Sequence, residues 1–96
     1  MPDDAPLTAR QRLDKWLWHA RIVRTRSDAQ ALVAAGHVRL NGARQTAPGH
    51  AVKAGDVLTV NLDGGVRLLK ITAFAARRGD AAAGRLLYAE LQGGPE

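Results

Sequence analysis

The stretch Gly36-His37-Val38-Arg39-Leu40-Asn41-Gly42 constrains the fold more than any other part of the chain, because the apolar spacing there changes from helical to strand-like. Before it, Leu13, Trp16, Leu17 and Ala20 fall at i, i+3, i+4 and i+7, the single apolar stripe of a helix. After it, Val38 and Leu40 share one face of a strand and Arg39 takes the other. Asn41-Gly42 then marks a two-residue type I′ hairpin, a turn that needs positive φ at both central positions. A chain that joins helices to an antiparallel hairpin in this way is α+β.

The stripe predicts a first helix over residues 11–22, with Arg12, Lys15 and His19 on a neighbouring face and Trp18 and Ile22 pointing away from the stripe. A second helix is expected to open at Ser27. Gln30, three residues on, would complete a capping box, Asp28 would favour the dipole, and Gly36 would end the helix in the left-handed conformation. Beyond the hairpin, Ala43 to Thr46 would return antiparallel, and a loop with Pro48 and Gly49 would lead to Val52 and the turn Lys53-Ala54-Gly55-Asp56. Strands are then expected over Val57 to Leu62 and Val66 to Phe74, joined by Asp63-Gly64-Gly65. Near the end, Asp80 can cap a short C-terminal helix carrying Leu86, Leu87 and Leu91. Gly84 weakens that helix, and Leu86 to Leu91 also reads as a strand; the helix is the reading adopted. The organisation expected is a flexible N-terminal arm over residues 1–10, one domain over 11–74, and a C-terminal segment over 75–96.

With 96 residues there is room for one core and none for a second domain bearing an active site. The absence of cysteine removes disulfides and thiolate zinc sites, so nothing calls for an oxidising compartment. Asp3 and Asp4 stand where a secretory signal would carry positive charge, and no apolar run approaches the ~18 residues of a membrane span. A cytoplasmic, soluble protein with no membrane partner is the expectation. The only serine is Ser27, His19, His37 and His50 lack metal-ligand spacing, and no glycine-rich phosphate loop is present. Neither enzyme chemistry nor a metal or other cofactor is expected.

Charge points to the partner. Eight basic and two acidic residues lie between Arg10 and Arg44, a net +6 that exceeds the whole-chain value of +5. Eleven of the fourteen basic residues are arginine, whose planar fork suits phosphate and stacks on bases. That concentration favours a polyanion over a merely soluble surface. If the helix pair is antiparallel, the basic face of helix one approaches the Arg24-Thr25-Arg26 connector, backbone N–H groups at the start of helix two point the same way, and Arg39 joins from the first strand. Such a surface reads phosphate spacing and RNA shape. The candidate contacts are Arg12, Lys15, Arg24, Arg26 and Arg39, with Arg21, Ser27, His37 and Arg44 beside them. Asp14, an acid inside this surface, would orient Arg12 or another neighbour. Trp16 belongs to the core, whereas Trp18 could stack on a base or pack against the sheet or the C-terminal segment.

Arg12-Leu13-Asp14, Arg24-Thr25-Arg26-Ser27, Gly36-His37-Val38-Arg39-Leu40-Asn41-Gly42 and Val52-Lys53-Ala54-Gly55-Asp56, taken together, closely resemble the S-four RNA-binding domain over residues 12–61. This is the αL motif, two short antiparallel helices packed on a small, mostly antiparallel sheet. Within that superfamily, Arg12 to Trp18 and Arg77-Arg78 followed by Leu86-Leu87-Tyr88 resemble the small ribosome-associated heat-shock proteins of bacteria, the fifteen-kilodalton type. The resemblance implies binding to ribosomal RNA on the large ribosomal subunit, in the rescue of subunits that hold peptidyl-transfer RNA, by a protein expected to be monomeric. Non-specific DNA binding is an associated expectation. Longer members of that family continue into a basic helical tail, whereas residues 92–96 are neutral to acidic, so no tail-borne function is expected of them. The alternative is a generic module for free structured RNA or transfer RNA acting beside a separate RNA-modifying enzyme, since S-four domains also occur fused to pseudouridine synthases, RNA methyltransferases and tyrosyl-transfer-RNA synthetases. A protein adaptor is the third class, and the charge concentration disfavours it.

Overall fold

The computed structural model describes residues 9–91. Most of the expected N-terminal arm lies outside those residues, and Arg10, at its end, stands in a strand. Strand β1 (Arg10–Arg12) pairs antiparallel with β4 (Ala51–Lys53), and helices α1 (Leu13–His19) and α2 (Arg26–Ala34) follow β1. Strands β2 (Val38–Leu40), β3 (Ala43–Arg44), β5 (Val57–Leu62), β6 (Gly65–Ile71) and β7 (Tyr88–Leu91) make a five-stranded antiparallel sheet in the order β3-β2-β5-β6-β7. A one-and-a-half-turn helix, α3 (Ala81–Arg85), lies between β6 and β7. The α+β class and the αL arrangement hold.

Both helices lay an apolar stripe on the inner face of the sheet. Leu13, Trp16 and Leu17 of α1 and Ala29 and Val33 of α2 pack with Val38, Leu58, Val60, Leu69 and Ile71, all fully buried. Trp16 reaches furthest: its ring meets Tyr88 edge-on at 6.3 Å, and its Nε1–H donates to the Ala73 carbonyl at 3.1 Å. A buried indole needs such an acceptor. Trp16 thereby ties α1 to the chain beyond β6.

The first helix is shorter at both ends than the expected 11–22. At its start, the N–H groups of Leu13 and Asp14 donate to the carbonyls of His50 and Pro48, so the loop before β4 caps the helix and Gln11 and Arg12 remain extended in β1. At its end, Arg21 takes the left-handed conformation (φ 62°), its N–H donates to Trp18, and the Ile22 N–H reaches back to the Leu17 carbonyl. This is the Schellman closure that glycine usually supplies. The second helix closes the same way, with Gly36 at φ 88° and the His37 N–H on the Leu32 carbonyl, as its sequence announces. The expected hairpin is present too, with Asn41 at φ 52° and Gly42 at φ 89°.

Two expectations need correction. Helix α2 is capped by Thr25, whose Oγ1 accepts from the Asp28 N–H at 2.9 Å; Ser27 lies inside the first turn, and Gln30 turns away to another partner. The capping box on Ser27 is absent because Arg26 already has helical conformation, which moves the cap one residue before it. At the C-terminal end, Asp80 does cap a helix, its Oδ1 accepting from the Ala83 N–H, but α3 stops at Arg85. Residues 88–91 form β7 instead, because the open edge of β6 offers unpaired backbone groups and Tyr88 gains the contact with Trp16. Gly84 has a packing reason: a Cβ there would lie 2.9 Å from the Ala20 carbonyl oxygen, so α3 can approach the end of α1 only without one.

Candidate nucleic-acid interface

The structural centre of the basic surface is a buried acid. Asp14 is fully buried, yet its carboxylate is surrounded by donors: Arg12 Nε at 3.1 Å and Nη2 at 3.0 Å, Gln30 Nε2 at 3.1 Å, and the Lys15 N–H at 2.7 Å. Arg26 Nε stands 3.7 Å away, an ion-pair distance beyond hydrogen bonding. Burial alone pushes the Asp14 carboxyl up, but the donors and the Arg12 charge outweigh it and hold the group below the usual carboxylate range. The same contacts push the Arg12 guanidinium above its ordinary value. One negative charge thus holds two guanidinium groups, from β1 and α2, at the mouth between the helices. Their side chains are 51% and 38% exposed, so both keep surface for an external anion.

Lys15, half-buried, follows Asp14 on α1, and Arg24 is exposed in the connector. Ser27 is exposed in the first turn of α2, where the N–H groups of Arg26 and Ser27 have no preceding helical carbonyl to bond. Arg12, Lys15, Arg24, Arg26 and Ser27 therefore gather around the helix pair. Arg21 does not join them: its Nη1 donates to the Gly79 carbonyl at 2.8 Å, which draws it to the C-terminal segment.

A second group lies at the far end of α2. His37, Arg39 and Arg44 line an open groove of about 390 Å³ together with Ala35, Gly36, Thr59, Asn61 and Val66. Arg39 and Arg44 are direct partners across the β2–β3 ladder, and both are exposed. The Arg44 side chain folds over Gly36, its Cδ 3.3 Å from where a Cβ would sit. The expected contacts are thus divided between the helix-pair mouth and the hairpin groove.

His19 is a correction. The helical wheel put it on the basic face, but it is 1% exposed, with Nδ1 3.1 Å from the Ala75 carbonyl. Burial lowers its pKa, and the charges of Lys15, Arg26 and Arg78 lower it further against the opposing Ala75 bond. The ring is neutral, with Nδ1–H as the donor. Trp18 packs against the C-terminal segment, with the Arg78 guanidinium 5.9 Å from its ring centre. Arg78 also donates to the carbonyls of Trp18 and Val23, so it holds the inter-helix connector in place.

Several contacts around the site have no signature of their own in the sequence. Gln30 and Arg26 reach Asp14 across the helix pair, and Gln11 Nε2 donates to the Ala75 carbonyl. Asn41 does more than turn the hairpin: its Nδ2 donates to Asp56 Oδ1 at 3.1 Å and its Oδ1 accepts the Val57 N–H at 2.9 Å. The Asn-Gly and Gly-Asp turns, fifteen residues apart, are one hydrogen-bonded unit. Lys53 closes it through Nζ and its N–H, both on Asp56 at 2.9 Å.

The model of the S4 domain family matches residues 11–58, which contain both groups of cations, and the groove's outer wall at Thr59, Asn61 and Val66 lies just beyond it. The chain is 39% identical over 92 residues to a heat shock protein 15 homolog of Aeromonas salmonicida, covering 96% of this chain and 69% of that protein. It is 37% identical over 79 residues to heat shock protein 15 of Escherichia coli K12, covering 82% of this chain and 59% of that one. A solved structure of Vibrio cholerae heat shock protein 15, described as trimeric, superposes with a TM-score of 0.81 at 34% identity, over 88% of this chain and 84% of the other.

Proposed function

Because the chain belongs to the S4-domain family and, within it, to the heat shock protein 15 group, we propose that it binds ribosomal RNA on the large ribosomal subunit and acts in the rescue of subunits carrying peptidyl-transfer RNA. The observation that carries this reading is the pair of arginines, Arg12 and Arg26, whose partly exposed side chains both reach one buried carboxylate. An ion pair that served stability alone would match charges; here one acid serves two arginines and leaves net positive charge facing outward. Lys15, Arg24 and Ser27 extend that surface, and His37, Arg39 and Arg44 add a second contact across the hairpin. Arg21 is drawn toward the C-terminal segment by its bond to the Gly79 carbonyl and is left out of this surface.

The protein works as a binder. Its buried carboxylates, Asp14 and Asp56, are filled with donors, and its buried imidazole, His19, is 1% exposed and closed off from solvent. One copy presents both groups of cations, and a cytoplasmic monomer suffices for the task; light scattering of the purified protein would reveal a trimer like the one described for the Vibrio relative.

Gradient sedimentation tests the ribosomal reading. The protein is expected to travel with large subunits, and more of it when those subunits hold peptidyl-transfer RNA. If it stays at the top of a gradient loaded with stalled large subunits while still binding free transfer RNA, the module acts on free RNA beside another enzyme.

A further inference from the structure

The groove at the end of α2 contains two residues that phosphate contact does not require. Thr59 and Asn61 alternate with the buried Leu58 and Val60 on β5 and so stand on the outer face of the sheet. Their neighbours are fixed by register: Arg39 opposite Thr59, Val66 opposite Asn61, and the Asn61 N–H on the His37 carbonyl. Among the described residues neither the Thr59 hydroxyl nor the Asn61 amide has a side-chain hydrogen bond. Val66, on the same wall, is 55% exposed, an apolar branched side chain left facing solvent.

The cations beside them are placed at a cost. Arg39 and Arg44 are direct cross-strand partners, an arrangement in which like charges repel and destabilise the pair. No described carboxylate lies within ion-pair distance of either. The two arginines, the His37 ring, the unpaired donors and acceptors of Thr59 and Asn61 and the apolar Val66 converge on one groove of about 390 Å³, within the roughly 300–1,000 Å³ of sites that enclose small ligands. The groove is more polar and more cationic than a site for an apolar ligand would be.

We propose that this groove takes a single unpaired nucleotide of the bound RNA, with its phosphate on Arg39 and Arg44, its base against His37 and Val66, and its base edge read by Asn61 and Thr59. Unpaired RNA bases are recognised in this way, by stacking on aromatic or guanidinium planes and by hydrogen bonds to their exposed edges. Asn carries both a donor and an acceptor, the pair needed for a two-point contact with a base edge. The helix-pair mouth reads phosphate and shape, whereas this groove selects RNA in which a nucleotide has left the stack. The inference rests on the RNA-binding reading above and adds the feature of the RNA that is selected.

The test is titration of the full chain with a hairpin RNA containing one unpaired nucleotide and with the same hairpin fully paired. The parent protein is expected to favour the unpaired form by about tenfold, the effect of one or two good hydrogen bonds. Asn61→Ala and Thr59→Val should each reduce that preference to about threefold, while leaving the salt dependence and the affinity for the paired hairpin unchanged. Thr59→Val keeps the side-chain shape, so it decides the matter should Asn61→Ala disturb folding. Failure to bind either RNA would remove the RNA-binding reading itself. Equal binding of the two hairpins by the parent, or an undiminished preference in both variants, would overturn the nucleotide groove and leave that reading standing.

Discussion

At the scale of single residues, Asp14 contributes through its charge and not through its size. Asn keeps the shape but sets an amide NH2 against donors from Arg12, Gln30 and Lys15, so Asp14→Asn should lose about 2 kcal/mol of stability, measurable by urea denaturation. Its pH behaviour has a definite sign. The folded pKa of Asp14 is depressed, so its stabilisation is complete above the ordinary carboxylate range and is lost as pH falls through the folded value. His19 acts in a different window. Its folded pKa is also depressed, so protons bind the unfolded chain first, and the thermal midpoint should fall as pH drops below about 6.5. His19→Asn should flatten that slope; an unaltered slope would mean that His19 is not the group responsible. The sequence placed Asp14 beside Arg12 because they are two positions apart. It could not show that Gln30 and Arg26 complete the cage, since nothing local marks which polar side chains meet across a helix pair.

At the scale of elements, caps were legible where the residue type is specialised and illegible where an ordinary residue does the same work. Gly36 announces the end of α2, but Arg21 closes α1 in the same left-handed conformation without announcing it, which is why the helix expected to reach residue 22 ends at His19. For an L-residue that conformation costs about 1–2 kcal/mol. Arg21→Gly should therefore leave stability within about 1 kcal/mol of the parent although it gives up the bond to Gly79, whereas Arg21→Val, branched at Cβ, should lose at least that much. Thermal midpoints of the two variants check the ordering. The N-cap shows the same ambiguity: Thr25 and Ser27 are both capping types two residues apart, and only the backbone decides between them. Thr25→Ala should cost about 1 kcal/mol and Ser27→Ala less than about 0.5 kcal/mol. Residues 86–91 were ambiguous for a non-local reason, since the edge of β6 that recruits β7 is itself a product of folding.

Across the whole molecule, the charge count pointed to a basic surface over residues 10–44, while the fold divides its cations in two and engages several polar side chains around them in structural bonds. His19 is buried, Arg21 is bonded to Gly79, and Arg78 braces the connector through the carbonyls of Trp18 and Val23. These ties use backbone acceptors far away in the chain, which leave no trace in residue type. They also determine which variants can separate binding from folding. Arg24 is exposed and without structural bonds among the described residues, whereas Arg26 also balances Asp14, so Arg24/Arg26→Ala should weaken RNA binding with a modest loss of stability. Each phosphate contact removed should flatten the dependence of log affinity on log salt by about 0.7 to 0.9, and the pair by roughly 1.4 to 1.8. Arg39/Arg44→Ala should flatten it by a similar amount and relieve a repulsion, so its stability should hold or rise. Arg77, exposed and outside both groups, is the control: Arg77→Ala should leave the slope in place, and Arg78 is unsuitable because its loss would loosen the connector. The measurement is an RNA titration at several salt concentrations for the three variants beside the parent. If Arg77→Ala flattens the slope while both double variants keep it, the RNA lies on the C-terminal side of the molecule and the helix-pair mouth is not its seat.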